Sequence, residues 1–242
     1  MSHPIERQPH VDTNMPLRAL KARKIEVLLG LDEERSRGSL LEVGTGSGGI
    51  AHYFAHSTSR QWSVSAVDVI DNRQLKDGYD FQLIEGCLLP FADETFDVVI
   101  SNHVIEHVGD ESSQLLHLRE LRRVLKPGGR GYLAVPNRWM VVEPHYRVPF
   151  LSWLPKRWRS RYLRCFKAGG VYDCEPLTMR GVERLLTAAA LGFENICLQA
   201  LRVILTLENS AAPAVRAIAD LPDPLLSRLL PIMPTLIYRL RR

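Results

Sequence analysis

The sequence predicts an α/β protein built on a doubly wound, mostly parallel sheet with helices on both faces, and three observations carry that expectation. The segment Leu40-Leu41-Glu42-Val43-Gly44-Thr45-Gly46-Ser47-Gly48-Gly49-Ile50 runs from a short apolar strand through a glycine-rich turn into a helix, the arrangement with which such folds hold a nucleotide-like ligand. Short apolar strands alternate with stretches of helical periodicity, which implies parallel pairing. At 242 residues, 45% hydrophobic and 24% charged, the chain can bury a full core as one domain over 1–242.

Taken in order, Met1 to Met15 is polar and lacks the apolar core of a signal peptide, and no run reaches the roughly 18 apolar residues of a membrane span. Leucine, isoleucine and valine recur at helical spacing from Leu17 to Gly30, so residues 1–36 read as a helical extension that stops at Gly30. Strands are expected near 39–43, 63–68, 81–85, 96–101 and 130–135, with helices near 47–57 and 112–125 between them. A helix near 178–190 leads through Gly192-Phe193 to a strand near 194–201. Residues 203–232 form an apolar insertion that Pro213, Pro222, Pro224 and Pro231 break into short helices, and Thr235 to Leu240 is the last strand. Cys87, Cys165, Cys174 and Cys197 form no C-x-x-C pair, so neither a zinc site nor a disulfide framework is indicated and a reducing cytoplasm is the expected home.

The glycine turn alone is ambiguous. Gly44, Gly46 and Gly49 also satisfy the G-x-G-x-x-G of dinucleotide-binding folds, and Asp68 lies roughly where a ribose-binding acid falls. Glu42 discriminates, because a carboxylate beside the turn repels a pyrophosphate but attracts the sulfonium and ammonium groups of S-adenosylmethionine.

At this point the chain resembles the class I S-adenosylmethionine-dependent methyltransferases, whose first motif carries an acid two residues before its first glycine. Val64-Ser65-Ala66-Val67-Asp68 resembles the second strand of that family, ending in its ribose-binding acid. Leu89-Pro90-Phe91 through Ser101, then Val104-Ile105-Glu106-His107-Val108, and Leu125-Lys126-Pro127-Gly128-Gly129 match in the same order. Within the family the nearest likeness is to methyltransferase type 11, with ubiquinone-type and glycan- or lipid-tailoring relatives. The resemblance implies a Rossmann-like, seven-stranded sheet with an antiparallel last strand, and S-adenosyl-L-methionine as cofactor. It further implies cofactor contacts from Glu42, Gly44, Thr45, Gly46, Gly48, Asp68, Val69, Cys87, Leu88 and Asn102. Relatives often place an aspartate after the third strand against the adenine amino group; here Cys87 stands there as a small apolar wall.

His103-Val104-Ile105-Glu106-His107 also spells the H-x-x-E-H of some metalloproteases, a reading that its place after a parallel strand disfavours. Ubiquinone-type O-methyltransferases have a similar E-x-x-E-H that binds a divalent cation, but His103 replaces the first glutamate, and no metal is expected. His103, His107 and His145 are the candidate bases for a hydroxyl acceptor, since imidazole titrates near neutrality.

The acceptor side is expected in residues 138–177, a basic-aromatic lid. Between Pro144 and Tyr172 there is no acidic residue, while Arg147, Lys156, Arg157, Arg159, Arg161, Arg164 and Lys167 give +7 against a whole-chain +4, leaving −3 elsewhere. Tyr146, Phe150, Trp153, Trp158, Tyr162, Phe166 and Tyr172 interleave with them. The expected partner is a small-molecule, lipid or glycan acceptor methylated on a hydroxyl oxygen, with peripheral contact of residues 144–172 at the inner membrane surface; nucleic acid is disfavoured because no separate binding module is visible. Two alternatives stay open: a non-catalytic cofactor-binding protein on the same fold, and, disfavoured by Glu42, a nicotinamide-dependent oxidoreductase.

Overall fold

The computed structural model describes residues 14–31, 37–57, 61–143, 146–168, 171–172, 174–207 and 221–242. Helix α1 (Met15–Leu28) begins at Asn14, whose side-chain oxygen accepts from the Leu17 amide at 3.2 Å, and Pro16 occupies the first turn, where no N–H is needed. Strand β1 (Gly38–Val43) leads through the glycine turn into α2 (Gly49–Ala55), followed by β2 (Trp62–Asp68), β3 (Asp80–Leu83), β4 (Phe96–Asn102), α3 (Glu111–Val124) and β5 (Leu125–Pro136). Then come α4 (Lys156–Cys165), α5 (Met179–Ala188), β6 (Gly192–Asn195), α6 (Cys197–Leu207), α7 (Asp223–Leu229) and β7 (Thr235–Arg241).

The seven strands form one sheet in the order β3-β2-β1-β4-β5-β7-β6. β1 runs parallel to β2 and β4, β4 parallel to β5, and β7 antiparallel to both its neighbours, so the expected reversal of the last strand is observed. Leu40, Leu41, Glu42 and Val43 of β1 are all buried, which marks a central strand covered on both faces. The main core fills the space between sheet and helices, from Ile25 of α1 to Tyr238 of β7.

Two local expectations are corrected. The strand near 194–201 stops at Asn195, whose side-chain oxygen accepts from the Cys197 amide at 3.1 Å and turns the chain into α6. The apolar run Leu198 to Leu207 is thus a helix packed on α1 and β7, an ambiguity that apolar runs carry in sequence. The turn expected before β5 lies inside its span: Phe96 pairs with Leu125 and Val98 with Arg130, so Lys126 to Gly129 bulge out, with Gly128 at φ +77°.

Residues 138–177 hold a small apolar cluster of their own, made by Val148, Leu151, Leu163, Tyr172 and Cys174. Arg159, one of the seven cations, is buried there and donates to the carbonyls of Ser152 and Leu154 at 3.2 and 2.9 Å. Tyr172 is likewise internal, whereas Phe150, Trp153, Trp158 and Phe166 are exposed. The segment is pinned across the loop after β4 by a Glu175 amide bond to the Glu106 carbonyl at 2.8 Å and by Gln114, which donates to the Glu175 carbonyl at 3.2 Å.

Candidate active site

The chain leaves β1 for β2 and β3 on one side and returns to β4 on the other, so the carboxyl ends of β1 and β4 flank a crevice where the connections part. A cleft of about 1250 Å³ opens there.

The glycine turn forms its floor. Gly44 (φ +76°), Gly46 (φ +54°) and Gly48 (φ +83°) adopt left-handed conformations. A Cβ on Gly44 would collide with Val104 in the loop after β4, and one on Gly48 with Leu75 and Tyr79 in the loop after β2. Asp68, at the end of β2, holds the turn: its Oδ2 accepts from the Gly46 amide at 2.8 Å and its Oδ1 from the Val69 amide at 2.7 Å. Asp68 lines the cleft, and each of its carboxylate oxygens has capacity for a further hydrogen bond.

Glu42 is turned beneath the loop. Its Oε2 accepts from Thr45 Oγ1 at 2.7 Å and the Ala51 amide at 2.9 Å, while Oε1 has no hydrogen bond and lies 4.0 Å from Arg18. Burial pushes its carboxyl up to about 7, against the opposing pull of Arg18 and its two donors. A folded-state value above the unfolded one means that the fold holds the extra proton. This stabilisation, on the order of 3 kcal/mol, is therefore full below pH 4.5 and fades as pH rises through about 7. Glu42→Gln keeps both accepted bonds, so its melting temperature is expected to vary less than wild type between pH 5 and 8 and to exceed it at pH 8; parallel melting curves across that range would refute the assignment.

At the end of β4, His103 adopts φ +59°, rare for a non-glycine residue, and its amide donates to the Ala134 carbonyl at 2.9 Å. The following turn buries Glu106 completely between His103 Nδ1 at 3.5 Å and His107 Nε2 at 3.8 Å. Burial pushes the Glu106 carboxyl up, but the two imidazoles outweigh it and hold the group below its ordinary value. His117 of α3 also lines the cleft; it is buried, sits 3.0 Å from Ser101 Oγ, and is driven down to about 4 by burial, hence neutral.

Of the expected contacts, Gly44, Gly46, Asp68, Val69, Cys87, Asn102, His103 and His107 line this cleft. Glu42 and Thr45 lie beneath it, bonded to one another, Gly48 faces Leu75 and Tyr79, and Leu88 points to solvent at 63% exposure. His145 lies outside the described residues. Among the described residues, the group whose ligand atoms converge closely enough to share a cation is His52, His56 and Asp77, away from the cleft lining.

Sequence reasoning placed the helix at Leu17 to Gly30 beside the nucleotide site but named none of its residues as functional. Arg18, 8% exposed, donates to the Thr45 carbonyl at 3.2 Å, and its Nε is buried without a hydrogen bond. It is a cation held against the glycine turn. Gly49 admits it, since a Cβ there would lie 2.7 Å from the Arg18 Cβ. The only sequence signal was the basic, helical spacing of Arg18, Lys21 and Lys24.

A sheet ordered 3-2-1-4-5-7-6, with a glycine turn after β1 and an acid at the end of β2, is the architecture of the class I S-adenosylmethionine-dependent methyltransferases, for which S-adenosylmethionine is the cofactor. Residues 41–133 match the methyltransferase domain family. The chain is 36% identical over 99 residues to the ubiquinone/menaquinone biosynthesis C-methyltransferase UbiE of Desulfotalea psychrophila, covering 38% of this chain and 39% of that one. It is 31% identical over 124 residues to the methyltransferase GfsG of Streptomyces halstedii, covering 48% and 44%. The chain thus spans less than half the length of these relatives. The YcgJ protein of Bacillus subtilis shares the fold, with a TM-score of 0.53 at 17% identity over 91% of this chain and 98% of that one.

Proposed function

We propose that the protein transfers a methyl group from S-adenosylmethionine to a hydroxyl oxygen of a small, lipid-linked acceptor. The observation that carries this reading is the cleft itself. Sites for one drug-sized ligand measure about 300–1,000 Å³, and at about 1250 Å³ this one has room for cofactor and acceptor side by side. Bound S-adenosylmethionine supplies the sulfonium-activated methyl. Asp68 would hold its ribose hydroxyls, and Arg18, with its unpaired Nε, its carboxylate.

The chain's own work is alignment and proton removal. His103 lines the cleft, with its Nδ1 3.5 Å from the buried Glu106 carboxylate, and is the group proposed to take the acceptor proton. His103→Ala is expected to lower kcat about 100-fold while leaving affinity for S-adenosylhomocysteine unchanged; equal losses in both would make His103 a cofactor-positioning residue. The likeness to a C-methyltransferase supports carbon as the alternative acceptor atom.

The lipid-linked character rests on the exposed face beside the cleft. Phe150, Trp153, Trp158 and Phe166 stand in solvent among the exposed Arg157, Arg161, Arg164 and Lys167, a pairing of aromatic and cationic groups suited to an anionic membrane surface. No helix among the described residues is long and apolar enough to cross a membrane. Co-sedimentation with phosphatidylglycerol vesicles at low salt is expected and should weaken at high salt; complete absence from the pellet at low salt would dismiss the membrane face.

The deciding experiment incubates the protein with methyl-labelled S-adenosylmethionine and a cell extract, then partitions the label. Label in the lipid fraction above an Asp68→Ala control supports the reading. Label only in protein or RNA overturns the acceptor, and no label despite cofactor binding favours the non-catalytic alternative.

A further inference from the structure

Away from the cleft lining, the carboxyl end of α2 carries His52 and, at its cap, His56, four residues apart and so on one helix face. Their rings stack, with centroids 4.1 Å apart. Both Nε2 atoms turn to one oxygen, Asp77 Oδ2 in the loop after β2, at 3.5 Å from His52 and 3.2 Å from His56. Lys76, next to Asp77 in the chain, reaches Asp71 instead, at 3.4 Å. The approach is built into the loop: Gly78 holds φ +83°, and a Cβ there would lie 2.6 Å from His56 Cε1.

Hydrogen bonding fixes which nitrogen of His56 is left to bind. Its Nδ1 lies 2.9 Å from the His52 carbonyl oxygen, and a carbonyl only accepts, so Nδ1 carries the proton. In the neutral ring Nε2 then presents a bare lone pair to a carboxylate oxygen 3.2 Å away, a contact that is repulsive until something positive lies between them. A proton on Nε2 would serve, but it makes the ring a cation, and a second imidazolium stacked at 4.1 Å is repelled by the first. One divalent ion compensates both nitrogens and the carboxylate together. Zinc bonds of about 2.0–2.2 Å in a tetrahedron set neighbouring ligand atoms about 3.4 Å apart, and the two nitrogen–oxygen spacings here are 3.5 and 3.2 Å. The carbonyl at His56 Nδ1 is the outer support that zinc-bound imidazoles ordinarily have. The side chains of His52, His56 and Asp77 are 28%, 47% and 69% exposed, which leaves the fourth position to water.

We infer that His52, His56 and Asp77 form a zinc site that clamps the loop after β2 onto α2. Two imidazoles and one carboxylate select zinc over magnesium, which prefers an oxygen shell. The clamp bears on the cleft, because the same loop supplies Val69, Ile70 and Asn72 to its lining and is tied to the glycine turn by the Gln74 and Leu75 amides, which donate to the Ser47 carbonyl at 2.9 and 3.3 Å. The inference stands apart from the methyl-transfer reading, since none of the three ligands lines the cleft.

The test titrates zinc chloride, with magnesium chloride as control, into the untagged full chain stripped of metal by a chelator, and then records melting curves. One zinc ion per chain is expected to bind with a micromolar Kd. At free zinc 100-fold above that Kd the melting temperature should rise by about 5–10 °C, while magnesium leaves it unchanged. His56→Ala and Asp77→Asn should each weaken zinc binding at least about 10-fold and cancel the rise, and without zinc each should melt within about 2 °C of wild type. Titration well below the melting temperature keeps lost stability from passing for lost ligation. Cysteines and other histidines also take zinc, so uptake equal in wild type and both variants would place the ion elsewhere and overturn the inference. No uptake by wild type below about 1 mM zinc, or a response to magnesium equal to that to zinc, overturns it as well.

Discussion

Asp68→Ala is expected to weaken S-adenosylhomocysteine binding on the order of 1000-fold. The carboxylate lines the cleft with capacity for a further hydrogen bond on each oxygen, and a ribose diol would use both. Two hydrogen bonds to a charged acceptor contribute about 1.5–3 kcal/mol each, and about 4 kcal/mol is already a factor near 1000. A second loss follows from the Gly46 amide, which Asp68 fixes at 2.8 Å and which in the variant is free to turn away from the ligand. Asp68→Asn separates the two effects. It can still accept through one oxygen, so it should retain either the turn or part of the diol contact and fall between wild type and alanine. Isothermal titration of the three proteins checks the order, and an alanine variant within about threefold of wild type would end the ribose assignment.

How much of this was legible in the sequence follows from which interactions are local. The strand–glycine–helix unit at 40–50 declares itself because the backbone there demands glycine, and Asp68 because it ends a strand adjacent to β1. Those features depend on residues near one another in sequence or in neighbouring strands. Arg18 was not legible, since its role depends on α1 packing over α2 and on a bond to the Thr45 carbonyl 27 residues away. Glu42 was half legible. The acid was seen, but its carboxylate is drawn under the turn by the Thr45 hydroxyl and the Ala51 amide. The basic run of 144–172 was read as surface throughout, yet Arg159 is internal because the small cluster around Leu163 leaves carbonyls of Ser152 and Leu154 that need a donor. Apolar content, by contrast, says little about helix or strand when a run is short, and α6 was misread for that reason.

Gly44→Ala should be strongly damaging, and the fold contains its own control. Gly44 and Gly128 share a left-handed φ, +76° and +77°, at which a side chain costs about 1–2 kcal/mol of strain. Their surroundings differ: a Cβ at Gly128 meets nothing within 4 Å, whereas one at Gly44 runs into Val104. The excess of Gly44→Ala over Gly128→Ala therefore isolates the crowding, about 1–3 kcal/mol for overpacking a fitted interior. At roughly 2–4 °C per kcal/mol for a chain of this size, Gly44→Ala should melt about 5–15 °C below wild type and Gly128→Ala less than half as far. Relief tests the cause. Val104→Ala added to Gly44→Ala removes the colliding methyls but not the strain, so the double variant should recover toward Gly128→Ala, a non-additive outcome expected of residues in contact. Val104 also leads from His103 into the turn that buries Glu106, so crowding at Gly44 displaces the imidazole as well as the cofactor loop. A fall in S-adenosylhomocysteine affinity that the second substitution partly restores would show that the glycine turn and the loop after β4 are fitted to one another across the cleft. Equal melting of Gly44→Ala and Gly128→Ala would show that they are not.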